Sequence, residues 1–175
     1  MTGKGSRIIF VIGGARSGKS SFALSSASAL RGSKAYIATA QALDGEMAER
    51  IRKHKEERPE EWSTLEEPLK VAGLLKNIRS SYDVVLIDCL TLWLSNVLLG
   101  NEEGLTDTID EFISALRECT AASVYIVSNE VGLGLVPDNA LARKFRDISG
   151  ELNQRVAGIA DEVYLVVAGM PLKIK

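Results

Sequence analysis

The sequence predicts an α/β fold in which a mostly parallel sheet is covered by helices on both faces. Three observations predict it. Five short apolar runs rich in β-branched residues alternate along the chain with helical patterns. The runs are continuous rather than alternating, which is typical of strands that are buried on both faces. The first run leads through a glycine-rich turn into a helix, an order typical of phosphate-binding loops.

The apolar runs place the strands, and the spacing of apolar residues places the helices. Residue 44 is an aspartate suited to cap a helix, and Pro59 ends that helix because the residue before a proline resists the α conformation. Apolar residues at steps of three and four from Leu141 to Ile159 predict one long helix near the end. In chain order, the predicted strands are 7–12, 35–38, 84–87, 124–127 and 163–167, and the predicted helices are 21–30, 44–58, 69–78, 91–99, 106–119 and 138–160.

Composition favours a single globular domain over residues 1–175, with residues 1–6 as a flexible tail. The chain is 46% hydrophobic and 25% charged, as ordinary globular proteins are. A net charge of −2 gives no reason to expect nucleic acid as a partner. From the polar start and the lack of a long apolar segment, we expect neither a signal peptide nor a membrane span. Cys89 and Cys119 form no metal-ligand spacing, so we expect a reducing, cytoplasmic setting.

The turn after the first strand fits the phosphate-binding P-loop pattern of Gly, any four residues, then Gly-Lys-Ser. Its glycines let backbone N–H groups surround a phosphate without Cβ clashes, and the following helix adds its positive end. Lys19 places a charge on the outer phosphates, and the Ser20 hydroxyl is suited to bind Mg²⁺. The fold is therefore expected to be a three-layer P-loop NTPase of the RecA-like type. The eight residues are Gly13, Gly14, Ala15, Arg16, Ser17, Gly18, Lys19 and Ser20.

Ligands of parallel α/β sheets bind at the carboxyl ends of the strands, so the residues there are the next candidates. Asp88 follows four apolar residues, which is the Walker B pattern and predicts a carboxylate beside the phosphates and Mg²⁺. An alternative is that Asp88 caps the helix predicted from Thr91. Asn129 and Glu130 begin a long loop with two glycines after the fourth predicted strand, a position that favours substrate contact over a plain connection.

The one histidine of the chain lies on the charged helix predicted over 44–58. Met47, Ile51 and His54 fall on one helical stripe, so His54 is expected to face inward. Most such histidines are structural. The neighbouring cations, however, would keep the imidazole neutral and attract a phosphate, and both are needed for nucleophilic attack on phosphorus.

Other motifs narrow the class of P-loop protein. Ras-type GTPases carry Asn-Lys-x-Asp and Asp-x-x-Gly motifs, but residues 129–132 read Asn-Glu-Val-Gly and residues 88–91 read Asp-Cys-Leu-Thr. A RecA-like motor or recombinase is disfavoured by the short chain without a basic bias. A small-molecule kinase with a structural His54 and a non-catalytic nucleotide-binding module stay open.

The chain resembles the bifunctional adenosylcobinamide kinase / adenosylcobinamide-phosphate guanylyltransferases of cobalamin synthesis. The resemblance covers nearly the whole chain in order. Its most specific parts are the Asn-Glu-Val-Gly loop and the Arg-Asp-x-x-Gly-x-x-Asn-Gln helix. The matching segments are 13–20, 36–40, 44–62, 88–91, 128–137 and 145–150, with Asn153 and Gln154.

The resemblance implies two reactions at one nucleotide site. ATP or GTP first phosphorylates adenosylcobinamide. GTP then gives its GMP to a histidine, which passes it to the cobinamide phosphate. His54 is the implied nucleophile, since Lys53 stands where some relatives carry a second histidine.

The resemblance also implies binding residues and an assembly. Ser20 and Asp88 would hold Mg²⁺, Asn129 and Glu130 would face the corrinoid, and the family is typically trimeric. Beyond the P-loop, the implied nucleotide-binding residues are Thr39, Ala40, Gln41, Lys55, Glu56, Glu57, Glu66 and Asp88.

Overall fold

The structure is a computed structural model that describes residues 6–175, apart from residues 57, 79, 101 and 135 and the side chain of Arg50. The tail predicted over residues 1–6 therefore lies almost wholly outside the described residues, as does Glu57.

The described residues form one seven-stranded sheet in the order β3-β2-β4-β5-β1-β6-β7. All neighbouring strands are parallel except β6 and β7, which are antiparallel. The strands are β1 (Arg7–Gly13), β2 (Lys34–Ala38), β3 (Trp62–Glu66), β4 (Val84–Asp88), β5 (Ser123–Asn129), β6 (Glu162–Val167) and β7 (Met170–Lys173).

Helices cover both faces of this sheet, so the predicted three-layer α/β arrangement is confirmed. Helices α3 to α6 pack through a large apolar cluster on one face, and α1 packs through a smaller cluster on the other. The helices are α1 (Lys19–Ser28), α2 (Gly45–Glu56), α3 (Val71–Ile78), α4 (Leu90–Gly100), α5 (Leu105–Glu118) and α6 (Ala140–Ile159). Within the described ranges, no helix combines the length and apolar character that crossing a bilayer requires.

All five predicted strands form, but the sequence prediction missed both edge strands. In β3 only Trp62 is buried, and all four residues of β7 are exposed, so neither strand carries a continuous apolar run. The predicted helices form with shifted ends. Asp44 accepts a hydrogen bond from the Met47 N–H at 2.7 Å, as expected of a cap, but α2 ends at Glu56 rather than Arg58.

The strand order brings four carboxyl ends together. Strand β5 lies between β1 and β4, and β2 lies on the far side of β4. The register pairs Gly13 with Asn129, Val127 with Asp88, and Asp88 with Ala38. The P-loop, Asn129 and Asp88 therefore lie next to one another at the carboxyl ends of their strands.

Candidate nucleotide site at the carboxyl edge of the sheet

The P-loop is bound tightly to the strands around it. The Gly13 carbonyl accepts a hydrogen bond from the Glu130 N–H at 3.0 Å, and the Gly169 N–H donates to the Ser17 carbonyl at 2.8 Å. Arg16 and Gly18 have positive φ values of 56° and 91°. These left-handed residues turn the chain sharply before α1 begins, which is the geometry of a phosphate-binding turn.

Gly13 has no room for a side chain. A Cβ built on it would lie 2.5 Å from the Val166 carbonyl oxygen and 2.6 Å from the Ser17 Oγ. The close approach of β6 and of the loop itself thus requires glycine at this position. The contact also fixes the loop against the sheet.

Lys19 is buried within the site. Its side chain folds back over the loop, and the ammonium group donates to the Gly14 carbonyl at 3.2 Å. The residue is only 6% exposed. Its charge is therefore held where the loop would enclose a phosphate.

Asp88 and Tyr36 meet at the ends of two neighbouring strands. The Tyr36 hydroxyl donates a hydrogen bond to Asp88 Oδ2 at 2.8 Å. Burial, followed by the negative charge of Asp88, raises the pKa of Tyr36 well above its ordinary value. The phenol consequently stays protonated and acts as a donor to the carboxylate.

Asn129 lies between Asp88 and the P-loop. Its backbone is fixed, because its N–H donates to Thr91 Oγ1 at 2.7 Å and its carbonyl accepts from Asn153 Nδ2 at 3.2 Å. Its Oδ1 is buried and has no hydrogen-bond partner among the described residues. A buried, unpaired oxygen of this kind calls for a ligand or a water.

The cleft above this edge has two connected parts that share Lys19, Ser20, Tyr36 and His54. We call the first, of about 440 Å³, the inner cavity. The second, of about 480 Å³, is the loop cavity. The inner cavity is also lined by Ala38, Ala40, Gln41, Ala42, Leu43, Met47, Ile51, Lys55, Arg58, Glu66, Pro68, Asp88, Cys89, Leu92 and Asn129. The loop cavity is also lined by Arg16, Ser17, Gly18, Ser21, Leu24, Glu46, Glu49 and Lys53.

Helix α2 forms the outer wall of the cleft. Met47, Ile51 and His54 are half-buried and line the inner cavity, as the predicted stripe requires. The rest of the helix, apart from the undescribed side chain of Arg50, is exposed. Lys55 reaches across to Glu66 at the end of β3, with 2.5 Å between Nζ and Oε1. His54 is the residue of this helix that lines both cavities with Lys19.

Among the described residues predicted to bind, six line neither cavity: Gly13, Gly14, Ala15, Thr39, Glu56 and Glu130. Thr39 is fully buried. Its hydroxyl donates a hydrogen bond to the Cys89 carbonyl at 2.8 Å and accepts one from the Cys89 N–H at 2.8 Å. Glu56 is exposed and pairs with Arg52. The Glu130 carboxylate accepts from the Gly132 N–H of its own loop at 2.7 Å.

Sequence reasoning missed several cleft residues. Tyr36 falls in the predicted strand 35–38 and in a matching segment but is assigned no role there, although its hydroxyl contacts Asp88. Arg58 was assigned to the α2 helix, yet its guanidinium carbon lies 3.5 Å from the centroid of the Tyr36 ring. No local pattern could have revealed these contacts, since Tyr36 and Asp88 are 52 positions apart. The one signal in the sequence that could have pointed to Tyr36 is its place near the carboxyl end of a predicted inner strand.

Cys89 also lines the inner cavity but is not suited to act as a nucleophile. The residue is buried, and burial together with the neighbouring Asp88 charge raises the pKa of its thiol to about 11. Because the thiolate is the reactive form, this cysteine is inert at neutral pH.

The residues present fit a magnesium ion. Ser20 and Asp88 both line the inner cavity, and Asn129, whose buried Oδ1 has no partner among the described residues, lines it beside them. Magnesium prefers oxygen donors and retains several waters, so it is bound by one or two protein groups together with substrate phosphates. The described part of the chain holds no cluster of three or more His, Cys, Asp or Glu side chains that could bind a metal by themselves.

A solved structure confirms the fold. The ATPase of a type III secretion system from pathogenic bacteria is similar in structure, with a TM-score of 0.61 over 97% of this chain. Its sequence is only 11% identical, and this chain spans 57% of its length, so the likeness concerns the fold alone.

Sequence comparisons agree with the resemblance. The bifunctional adenosylcobalamin biosynthesis protein CobU of Salmonella typhimurium is 44% identical, over 96% of this chain and 99% of its own. CobP of Pseudomonas aeruginosa is also 44% identical, over 94% and 95%. CobU of Escherichia coli is 42% identical, over 96% and 99%. The family described as cobinamide kinase / cobinamide phosphate guanyltransferase matches residues 9–174, and the chain belongs to that family.

Proposed function

We propose that this chain phosphorylates adenosylcobinamide and then transfers GMP from GTP to the product, using one cleft for both reactions. One observation carries the proposal: Lys19 and His54 line the same two cavities. A phosphate charge site and a potential nucleophile thus face the same space from opposite walls. Nucleotide substrates are consistent with the family and with the P-loop fold.

In the first reaction, the hydroxyl of the cobinamide aminopropanol attacks the γ-phosphorus of ATP or GTP. An oxygen–phosphorus bond forms, the bond between the γ-phosphorus and the bridging oxygen breaks, a nucleoside diphosphate leaves, and the hydroxyl proton is released. Lys19 and the loop N–H groups stabilise the charge that develops on the transferring group. The buried position of Lys19 strengthens this effect, because surrounding water is reduced.

Ser20 and Asp88 would hold a magnesium ion against the phosphates. When bound, Mg²⁺ neutralises charge on the β- and γ-phosphate oxygens. Asp88 supplies a carboxylate that accepts a hydrogen bond from the Tyr36 hydroxyl, and Ser20 follows Lys19, the first residue of α1.

In the second reaction, a His54 ring nitrogen attacks the α-phosphorus of GTP. A nitrogen–phosphorus bond forms and pyrophosphate leaves. A phosphate oxygen of adenosylcobinamide phosphate then attacks the same phosphorus, so the nitrogen–phosphorus bond breaks and histidine is regenerated. When the other ring nitrogen is protonated, the histidine leaves as neutral imidazole, which is a good leaving group.

We extend the proposal to the remaining predicted features. Ala40, Gln41, Lys55 and Glu66 line the inner cavity and would contact the nucleotide. Asn129 reaches the same cavity, so it is the better of the two predicted corrinoid contacts. Thr39 would act by positioning the chain after β2. A single domain, a homotrimer and a cytoplasmic location stay predictions.

Two labelled forms of GTP test the proposal. The protein is incubated with Mg²⁺ and GTP labelled at either the α- or the γ-phosphate, then denatured and analysed for covalent label. We expect stable labelling from the α-position alone, because only the GMP group becomes attached to the histidine. The linkage should be labile to acid and stable to base, as a phosphoramidate is.

His54→Asn provides the matched control, since asparagine retains a polar side chain of similar reach without the nucleophilic ring. It should take up no label while still binding GTP. Labelling that persists in this variant, or that comes from the γ-position, would contradict the assignment. Absence of label in the unaltered protein, with binding intact, would favour the kinase with a structural His54 or the non-catalytic module.

A further inference from the structure

Tyr36 is a core residue whose hydroxyl contacts Asp88, a residue that lines the cleft. It lies in β2, two residues before the strand ends, and is 5% exposed. Its ring packs in the smaller apolar cluster with Leu86 and Trp62. Tyr36 nevertheless lines both cavities, and its hydroxyl donates to Asp88 Oδ2 at 2.8 Å. A phenylalanine would fill the same core space, so the hydroxyl serves the carboxylate rather than the core.

The ring of Tyr36 is held from two sides. Trp62 meets it edge-on, with 6.3 Å between centroids and 84° between planes, and the indole N–H is itself fixed by a hydrogen bond to Ser28 Oγ at 3.0 Å. On the cleft side, the Arg58 guanidinium carbon lies 3.5 Å from the ring centroid. Aromatic and cation–π contacts of this kind leave the hydroxyl little freedom to move away from Asp88.

Arg58 connects this pair to the outer wall of the cleft. It follows α2, four positions after His54, and its Nη1 donates to Thr64 Oγ1 on β3 at 2.5 Å. Its Nε is buried without a hydrogen-bond partner among the described residues. Arg58, two positions beyond the last residue of α2, thus contacts the ring whose hydroxyl donates to Asp88.

We infer that Tyr36 is a positioning residue, which orients the Asp88 carboxylate for a magnesium–nucleotide complex through its hydroxyl hydrogen bond. The inference rests on the proposed function. Groups that hydrogen-bond to a metal-binding carboxylate fix its direction and support metal affinity, and their loss costs about tenfold or more. Stacking of Arg58 on the same ring links this orientation to the segment that carries His54.

The test measures how strongly Mg²⁺ tightens nucleotide binding, without any turnover. Calorimetric titrations use the α,β-methylene analogue of GTP, in Mg²⁺ and in EDTA, and the ratio of the two Kd values gives the magnesium gain. Four proteins are compared: the unaltered chain, Tyr36→Phe, Asp88→Asn and the double variant. Phenylalanine keeps the ring and its contacts with Trp62 and Arg58, so the fold is retained.

We expect Tyr36→Phe to reduce the magnesium gain by about tenfold while the Kd in EDTA stays the same. Asp88→Asn should lose the gain, and adding Tyr36→Phe to it should change nothing further, because no carboxylate is left to orient. Tyr164→Phe is the matched control, since its hydroxyl donates to Glu162 Oε2 at 2.6 Å outside the cleft. Its magnesium gain should equal that of the unaltered protein.

An undiminished gain in Tyr36→Phe overturns the inference. So does an equal weakening of binding in Mg²⁺ and in EDTA, which would mark a purely structural role. A magnesium gain that falls further when Tyr36→Phe is added to Asp88→Asn also overturns it. Failure of the proposed function looks different: the unaltered protein would transfer no phosphate to cobinamide in a separate assay, while the magnesium gain would still depend on Tyr36.

Discussion

The two walls of the cleft are built in opposite ways. The loop wall, residues 13–20, is tied into the sheet by backbone hydrogen bonds from Glu130 and Gly169, and Gly13 and Lys19 are buried in it. The helix wall, Gly45–Glu56, has no buried residue among those whose burial is described. Its contacts are a half-buried stripe and charged pairs at the surface, such as Lys55 with Glu66.

This difference matches the demands of two transfers at one nucleotide. A phosphate has to be held in one place in both reactions, which favours a fixed loop. The group that acts at the α-phosphate has to approach in one reaction and leave room for the acceptor in the other. A wall with few buried contacts opens at low free-energy cost. We therefore propose that the fixed wall binds the phosphates and that the loosely held wall carries the histidine step.

The largest effect should follow from removing the charge of the loop wall. Lys19→Ala should lower the rates of both transfers by about 10²–10³-fold, as the loss of a group that stabilises transition-state charge does. Steady-state assays of each reaction measure this. Lys76→Ala, on the exposed side of α3, is the control for loss of one lysine charge. A variant at Lys19 that kept either activity would separate the two sites.

A methyl group in the loop wall should disturb it by crowding. Gly13→Ala places a Cβ against the Val166 carbonyl and the Ser17 hydroxyl, so the free energy of unfolding should fall by about 1–3 kcal/mol. Denaturant unfolding measures this change. Gly14→Ala is the matched control for stability, because nothing lies within 4 Å of its added Cβ. Equal stability of the two variants would show that the loop accommodates a methyl group at residue 13 without loss of stability.

Hydrogen exchange compares the walls without any substitution. The free energy of local opening that governs amide exchange should be lower in α2 than in β1 by roughly a few kcal/mol, since the helix has few buried contacts. Mass spectrometry of peptides covering Gly45–Glu56 and Arg7–Gly13 measures both in one experiment. Similar protection of the two segments would remove the basis of the comparison.

The loop wall could be predicted from the sequence, and most of the helix wall could not. A P-loop acts through backbone geometry, so its glycines and lysine appear as a local pattern, and Asp88 follows from an apolar strand. The inner strands could be predicted because each is a continuous apolar run, which is also a local pattern. The edge strands β3 and β7 lack apolar runs because little of either is buried.

Contacts across the cleft depend on strand order, which the alternation of strands and helices leaves open. The sheet places β2 beside β4, so Tyr36 reaches Asp88, and β3 beside β2, so Thr64 anchors Arg58. Helical spacing did predict that His54 faces the cleft. Its chemical role came from the family resemblance, since spacing alone favours a structural histidine.

The central claim is that one cleft serves two transfers and that His54 is needed for one of them. His54→Ala, assayed for both reactions in the same preparation, tests it most directly. Guanylyl transfer should fall below detection, while phosphorylation of adenosylcobinamide should continue at a rate of the same order as in the unaltered protein. Equal loss of the two activities, or guanylyl transfer that survives the substitution, would contradict the account.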